Sequence, residues 1–188
     1  MVYAFVSLTI SGGSTMRPAL VALLAIGLAG PVLAQQGGVE TFEGPIVGSK
    51  GQNIGKLTVR SGENATVIRI VISAGGLSPG WHGLHFHQVG DCSDAGKFQL
   101  SKGHINPDKS EHGLLNPDGP DMGDLSNIYA NADGSANAEV SSESILLSGE
   151  EALRDSDGAA LVIHANEDDH TSQPIHNAGD RVACAVIK

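Results

Sequence analysis

The stretch Gly83-Leu84-His85-Phe86-His87 alternates imidazole and apolar side chains, which is the pattern of a β-strand. Successive side chains of a strand point to opposite faces, so His85 and His87 share one face while Leu84 and Phe86 share the other. Such a strand can bury its apolar face in a core and present two imidazoles on the opposite face. Imidazole binds copper, zinc, iron and nickel, but one His-x-His pair alone is a weak indication of a metal site.

The rest of the chain indicates the same kind of secondary structure. Short β-rich runs alternate with clusters of Gly, Asn, Asp and Pro, and helical periodicity is scarce. Several short strands at this spacing predict an all-β fold, either an antiparallel sandwich or a barrel. The predicted strands are 39–47, 54–60, 65–73, 83–89, 128–130, 136–142, 160–164 and 182–187.

Two polar segments, 91–124 and 166–180, do not fit as strands. Loops of this length without secondary structure are usually functional or disordered. Histidines and aspartates that converge from several strands and loops are typical of a metal site. The candidate ligands in and beside these segments are His104, His112, Asp121, Asp124 and His164.

The N-terminus has the form of a secretory signal peptide, predicted to span residues 1–34. Arg17 precedes an apolar run that ends in the small-residue cleavage motif Val32-Leu33-Ala34. The run is short and interrupted by Gly and Pro, which argues against a membrane span, and a retained anchor is the alternative. Met16 is a second candidate start, which leaves residues 1–15 untranslated in that case.

The mature domain is expected to span residues 35–188, and it is acidic. The whole chain has a formal net charge of −10, and cleavage would remove Arg17 as its one charged residue. Such acidity argues against nucleic acid and against an anionic membrane surface as partners. It also disfavours an anionic substrate unless positive charge is placed locally.

Cys92 and Cys184 are the only cysteines of the chain. An even number of cysteines in an exported protein predicts one disulfide, and two buried free thiols are the alternative. The bond would close a loop of about 90 residues and restrict the unfolded chain.

Taken together, these residues resemble the copper/zinc superoxide dismutases of exported bacterial type. The matching segments occur in the family's order and cover nearly the whole mature chain. They are HGLHFHQVGDC (82–92), GHINP (103–107), HG (112–113), GDL (123–125), LVIH (161–164) and NAGDRVAC (177–184). The resemblance implies a Greek-key antiparallel β-sandwich or barrel with two long functional loops, located in the periplasm.

The resemblance also implies a reaction and a role for each residue. The reaction is the disproportionation of superoxide to dioxygen and hydrogen peroxide by alternate reduction and oxidation of copper. His104 would bridge copper and zinc and take part in catalysis. Arg181, beside the open copper position, would also take part in catalysis. Asp168 would link ligands of both metals, and His82 would be structural. The implied copper ligands are His85, His87, His104 and His164, the implied zinc ligands are His104, His112 and Asp124, and the disulfide joins Cys92 to Cys184. Asp121 is the candidate for the remaining zinc ligand.

Asp121 departs from the family pattern, which has a third zinc-binding histidine at this position. A carboxylate can bind zinc, but its side chain is shorter than that of histidine. Two hypotheses stay open: Asp121 substitutes as a zinc ligand, or the protein does not bind zinc strongly.

The segment 168–181 contains no lysine, so electrostatic attraction of the substrate is expected to depend heavily on Arg181. His170 and His176 match none of the family's ligands and are expected to be exposed to solvent.

The resulting prediction is a periplasmic superoxide dismutase with copper and zinc as cofactors and the superoxide anion as its substrate. The alternative is a periplasmic module of the same fold that holds or buffers copper without useful turnover. Arg181 favours the enzyme, because a copper buffer has no need of a cation beside the metal. The sequence does not fix the oligomeric state and leaves a homodimer open.

Overall fold

The structure is a computed structural model that describes residues 38–149, 152–173 and 177–188. The predicted signal peptide, residues 1–34, lies outside these ranges, as does His176. Within the described ranges, no helix combines the length and the apolar character needed to cross a membrane.

Strands joined by turns and loops make up the described part of the chain. The strands are β1 (Glu40–Gly48), β2 (Asn53–Ser61), β3 (Thr66–Ile72), β4 (Gly80–His82), β5 (Leu84–His87), β6 (Ile128–Ala130), β7 (Ala136–Ser142), β8 (Ala159–His164) and β9 (Arg181–Ile187). The prediction missed β4, because three residues next to Gly83 are too few to show an alternating pattern. The first loop (residues 88–127) contains one short 3₁₀ turn, Gln99–Ser101, and the second loop comprises residues 165–180.

The strands pair in an antiparallel sheet in the order β5-β8-β9-β1-β2-β3-β7, and β4 and β6 form a separate antiparallel pair. The last strand, β9, lies between β8 and the first strand, β1. Strand β3 pairs with β7, and β5 pairs with β8, although the members of each pair are far apart in the sequence. Such pairing between distant strands is typical of Greek-key connections, so the predicted all-β fold is confirmed.

Side chains alternate between buried and more exposed positions along β2 and β3, and the buried ones form part of the core. Leu57 of β2 stands opposite Ile70 of β3, and Val59 stands opposite Ile68. All four side chains are completely buried. Burial of an aliphatic side chain of this size stabilises the fold by about 1.5–3 kcal/mol.

Strand β5 has no exposed face. Leu84 and Phe86 are buried in the hydrophobic core. His85 and His87 are equally buried, although their side chains are polar. The alternation predicted from the sequence thus separates a core face from a histidine face.

A disulfide joins Cys92 of the first loop to Cys184 of β9, with the two Cα atoms 5.9 Å apart. This confirms the predicted bond and excludes the alternative of two free thiols. Cys184 packs with Phe98, Ala160 and Val162 in a small buried cluster. The start of the first loop is thereby fixed to the sheet.

Candidate metal centre

Three histidines on neighbouring strands bring ring nitrogens close together. His85 and His87 lie on β5, and His164 ends β8, which pairs with β5. The main-chain N–H of His164 donates to the carbonyl of Gly83 at 2.9 Å, which fixes the end of β8 beside β5. One ring nitrogen of each histidine lies within 4.8 Å of the other two. These residues are called the three-histidine set below.

Each ring of the three-histidine set is oriented through its other nitrogen. Nδ1 of His87 donates to the carbonyl of Lys102 at 2.8 Å, and Nδ1 of His164 donates to the carbonyl of Gly179 at 3.0 Å. Because a carbonyl oxygen only accepts, these nitrogens carry the proton and Nε2 of each ring presents its lone pair. The ring of His85 is held through its Nε2 by the carboxylate of Asp168, as described below.

Burial keeps two members of this set neutral. It lowers the pKa of His87 well below the ordinary value of 6.5, and the nearby His104 and Arg181 add to the effect. Burial also lowers the pKa of His164 to about 4, outweighing the hydrogen bond to Gly179 that acts in the opposite direction. Neutral imidazole is the form that binds a metal, so neither ring must lose a proton to do so at physiological pH.

Two histidines and two aspartates of the first loop form a second cluster, called the His/Asp set below. Its members are His104, His112, Asp121 and Asp124, each with a donor atom within 4.8 Å of the others. Nδ1 of His104 lies 2.9 Å from Oδ2 of Asp121, and Nδ1 of His112 lies 2.6 Å from Oδ1 of Asp124. The set therefore has two imidazoles facing two carboxylates.

Main-chain amides hold the outer oxygens of both carboxylates. Oδ2 of Asp124 accepts from the N–H groups of Gly113 at 2.8 Å and Asp121 at 3.0 Å. Oδ1 of Asp121 accepts from the N–H of Gly123 at 2.9 Å. The remaining oxygen of each carboxylate faces a histidine of the set.

The His/Asp set favours protonated imidazoles, in contrast to the three-histidine set. Burial opposes the charge of His112, but hydrogen bonds to Asp124 and Asp168 outweigh it and raise the pKa to about 10. The same balance, with Asp121 and Asp124 as partners, raises the pKa of His104. A cation that binds here must displace protons.

Asp168 connects the two sets. Its Oδ2 lies 2.7 Å from Nε2 of His85, and its Oδ1 lies 3.2 Å from Nε2 of His112. The side-chain amide of Asn127 exchanges two hydrogen bonds with the main chain of Asp168, at 2.8 and 3.0 Å. Burial disfavours the carboxylate charge, but the hydrogen bonds from His112 and His85 outweigh it and hold the pKa well below its ordinary range.

His104 lies between the two sets. Its ring stacks on that of His85 with the centroids 4.3 Å apart, and it meets the ring of His87 edge-on at 5.1 Å. Its Nδ1 faces the aspartates, as described above. An isolated antiparallel bridge between His87 and His104 fixes this part of the first loop to the end of β5.

The site opens to solvent through a cleft of about 1030 Å³. Nη1 of Arg181 donates to the carbonyl of Phe98 at 2.7 Å and to Oγ of Ser101 at 3.1 Å. These bonds hold a permanent positive charge at the cleft of an acidic protein. Four of the residues that line the cleft are His87, His104, His164 and Arg181.

The sequence profile of copper/zinc superoxide dismutase (SODC) matches residues 53–187. A superoxide dismutase [Cu-Zn] of Caulobacter vibrioides is 46% identical over 142 residues, which cover 73% of this chain and 80% of that protein. The chain belongs to the copper/zinc superoxide dismutase family. Superoxide dismutase [Cu-Zn] 1 of Aquifex aeolicus is 39% identical over 146 residues, covering 76% of this chain and 85% of that protein.

Solved structures share the fold. A SOD-like protein from Bacillus subtilis matches with a TM-score of 0.73 and 28% identity, over 80% of this chain and all of that chain. The Cu/Zn superoxide dismutase from Brucella abortus matches with a TM-score of 0.64 and 25% identity, over 79% of this chain and all of that chain. The predicted family is confirmed, and with it a superoxide dismutase whose cofactors are copper and zinc.

The donor chemistry of both sets fits the metals of the copper/zinc superoxide dismutase family. Nε2 of His87 is buried and has no hydrogen-bond partner among the described residues, so it is suited to a metal. Neutral imidazoles fit copper, and a combination of imidazoles and carboxylates fits zinc. Asp121 supplies one of the two carboxylates of the His/Asp set.

Arg181 is not the only cation that lines the cleft among the described residues, and the expectation that attraction depends heavily on it stays a prediction. Lys97 and Lys109 also line the cleft, and both are exposed. They belong to the first loop, whereas the expectation considered only charges in the second loop. The fold brings the two loops to the same cleft.

The expected exposure of His170 is wrong. Its side chain is only 16% exposed and its Nδ1 lies 3.7 Å from Oδ2 of Asp168. The side-chain amide of Asn127 donates to its Nε2 at 3.2 Å. His82, by contrast, contacts the main-chain carbonyls of His164 and Ser78 through its two ring nitrogens, which fits a structural role.

Sequence reasoning missed several residues that contact the site. Ser101 supports Arg181, and the side-chain amide of Gln173 contacts the main chain of His112. Serine and glutamine in polar loops carry no local pattern that indicates such contacts.

Proposed function

We propose that this superoxide dismutase holds its two metals in adjacent sites that share His104. The observation that carries the proposal is the position of His104, whose ring stacks on that of His85 at 4.3 Å while its Nδ1 lies 2.9 Å from Oδ2 of Asp121. Copper would be held by His85, His87, His104 and His164, and zinc by His104, His112, Asp121 and Asp124.

Copper, when bound, supplies the one-electron redox change that disproportionation of superoxide requires, whereas zinc has no redox chemistry. The protein contributes imidazoles that are already neutral and oriented. His87 and His164 are held through Nδ1 by main-chain carbonyls, so their Nε2 atoms need no rearrangement. Fixed ligands of this kind preserve the geometry of the site through both half-reactions.

Arg181 would attract and orient the substrate anion. Its guanidinium is held by two hydrogen bonds, to the Phe98 carbonyl and the Ser101 hydroxyl. A planar guanidinium provides several N–H donors as well as a permanent charge. Because attraction reaches only about 8–10 Å in physiological salt, the position of this charge matters more than the net charge of the protein.

His104 would hold and release one of the two protons that the reduction of superoxide to hydrogen peroxide requires. Its Nδ1 faces Asp121 at 2.9 Å and Asp124 at 3.5 Å, the residues that would hold zinc together with it, so this side of the ring would stay fixed while Nε2 changes protonation. This assigns proton transfer to a residue that lies between the two donor sets and lines the cleft.

Asp121 is assigned to zinc as a substitute for the family's histidine. Its side chain is only 4% exposed, and the Gly123 amide fixes one oxygen so that the other faces His104. The alternative is a copper enzyme whose zinc site is weak. Zinc content separates these two possibilities.

Residues 1–34 are proposed to be a signal peptide that exports the domain 35–188 to the periplasm. Support comes from relatives, which include an extracellular superoxide dismutase [Cu-Zn] of Brugia pahangi, 36% identical over 146 residues. The disulfide between Cys92 and Cys184 fits an oxidising compartment.

The test is metal content and superoxide dismutation of the purified mature chain after loading with both metals, beside His87→Ala and Asp121→His. We expect one copper and one zinc per chain with activity. His87→Ala should lose copper and activity but keep zinc. Copper without activity in the unaltered chain and in Asp121→His would contradict the proposal and favour a copper-holding module.

A further inference from the structure

The side-chain amide of Gln173 pairs with the main chain of His112. Nε2 of Gln173 donates to the His112 carbonyl at 2.6 Å, and the His112 N–H lies 3.4 Å from Oε1 of Gln173. The amide thus pairs with this residue as a neighbouring β-strand would, through a donor and an acceptor.

The second loop contacts the same segment of the first loop at further points. The N–H of Leu115 donates to the carbonyl of His170 at 3.1 Å. Gly113 allows this close approach, because a Cβ atom there would overlap the His170 carbonyl. Asp168 contacts the ring of His112 through Nε2. The main chain and the ring of His112 are therefore both held from the second loop.

The aspartates of the His/Asp set are held differently. Their outer oxygens accept hydrogen bonds from the amides of Gly113, Asp121 and Gly123, which all belong to the first loop. The first loop also contributes one hydrogen bond to the main chain of His112, from the side-chain amide of Asn116 to the carbonyl at 3.0 Å. A change at Gln173 should therefore act on His112 and leave the two aspartates in place.

We propose that Gln173 is a positioning residue that presets His112 for zinc. The inference rests on the proposed function, because His112 is assigned to zinc there. Asp168 sets the rotation of the ring, and Gln173 sets the position of the main chain that carries it. Residues that orient a metal ligand in this way commonly change metal affinity 10–100-fold when they are altered.

The experiment compares the mature chain with Gln173→Ala and Gln173→Glu after loading with copper and zinc. Glutamate keeps an acceptor for the His112 N–H but faces the His112 carbonyl with an oxygen instead of a donor. Gln99→Ala is the matched control, since Gln99 is an exposed glutamine that lines the same cleft. The readouts are the rate of zinc release to a chelator, copper retention, and the visible spectrum of Co²⁺ placed in the zinc site.

We expect Gln173→Ala and Gln173→Glu to release zinc about tenfold faster, with an altered Co²⁺ spectrum and unchanged copper retention. Gln99→Ala should behave like the unaltered chain. Zinc release at the unaltered rate in Gln173→Ala would overturn the inference, and so would an equal loss of both metals, which indicates general destabilisation. An unaltered chain that retains copper but never holds zinc or Co²⁺ would overturn the proposed zinc site as well.

Discussion

Nε2 of His85 lies 2.7 Å from Oδ2 of Asp168, and both side chains are completely buried. The other oxygen of the same carboxylate lies 3.2 Å from Nε2 of His112. One fixed anion therefore orients an imidazole of each donor set. A change at this carboxylate should affect both metals, although Asp168 is assigned as a ligand to neither.

Replacing Asp168 with asparagine should weaken copper and zinc together. Asparagine keeps the shape but has one acceptor oxygen in place of two, so it cannot accept from both His85 and His112. We expect each metal's affinity to fall by about 10–100-fold, measured by competition with a chelator. Asp169→Asn, at the exposed neighbouring position, is the control. Weakening of only one metal would show that the carboxylate does not couple the sites.

Replacing Asp121 with alanine should lower zinc content well below one per chain. The substitution removes the oxygen that lies 2.9 Å from His104, while Asp124 and its amide donors remain. Asp121→His should retain zinc, and Asp118→Ala, at an exposed position of the same loop, serves as the control. Stoichiometric zinc in Asp121→Ala, determined by elemental analysis, would count against Asp121 as a ligand.

Zinc binding should depend more steeply on pH than copper binding. The pKa of His112 is raised from 6.5 to about 10, so the stability that its proton gives the metal-free protein is fully present below pH 6.5. That contribution is lost as the pH rises through about 10.

Because zinc displaces this proton, its apparent affinity should rise over the same window, by up to about tenfold per pH unit for each proton released. Binding of either metal would release a proton from His104, whereas only zinc binding would release one from His112. His164, with a pKa of about 4, adds nothing to the copper curve near neutrality. Chelator competition between pH 6.5 and 10 measures both slopes, and equal slopes would contradict the assignment of His112 to zinc.

Neutralising Lys97 or Lys109 should slow the reaction with superoxide at low ionic strength. Both lysines line the cleft, and their charges act over about one Debye length, roughly 10 Å at 0.1 M salt. The effect should shrink as salt increases, whereas the larger loss in Arg181→Gln should persist because its N–H donors are also removed. Lys56→Gln, on β2 and outside the cleft lining, is the control for rates measured by pulse radiolysis. Equal losses in Lys56→Gln and Lys97→Gln would contradict local attraction.

The sequence predicts the features of the site that depend on local periodicity or on a single position. The alternation along residues 83–87 separates Leu84 and Phe86 from His85 and His87, because the strand period is a property of the backbone. The disulfide was predicted because the chain offers only two cysteines. These features require no knowledge of how distant segments meet.

The supporting contacts could not be predicted in this way. Lys97 reaches the cleft only because the first loop folds over the sheet, and Gln173 reaches His112 across 61 positions of the sequence. The partial burial of His170 depends on how the second loop packs, so it cannot be predicted from the residue itself. Contacts of this kind are set by tertiary structure, and isolated polar residues in loops give no sign of them.

A crystal structure of the metal-loaded mature chain, with anomalous scattering measured at the copper and zinc edges, would test whether two metals share His104. We predict copper at the three-histidine set on one ring nitrogen of His104, and zinc on the other ring nitrogen, contacting His112, Asp121 and Asp124. Zinc bound away from His104, or a His/Asp set that holds no zinc in a chain with full copper content, would contradict the shared site.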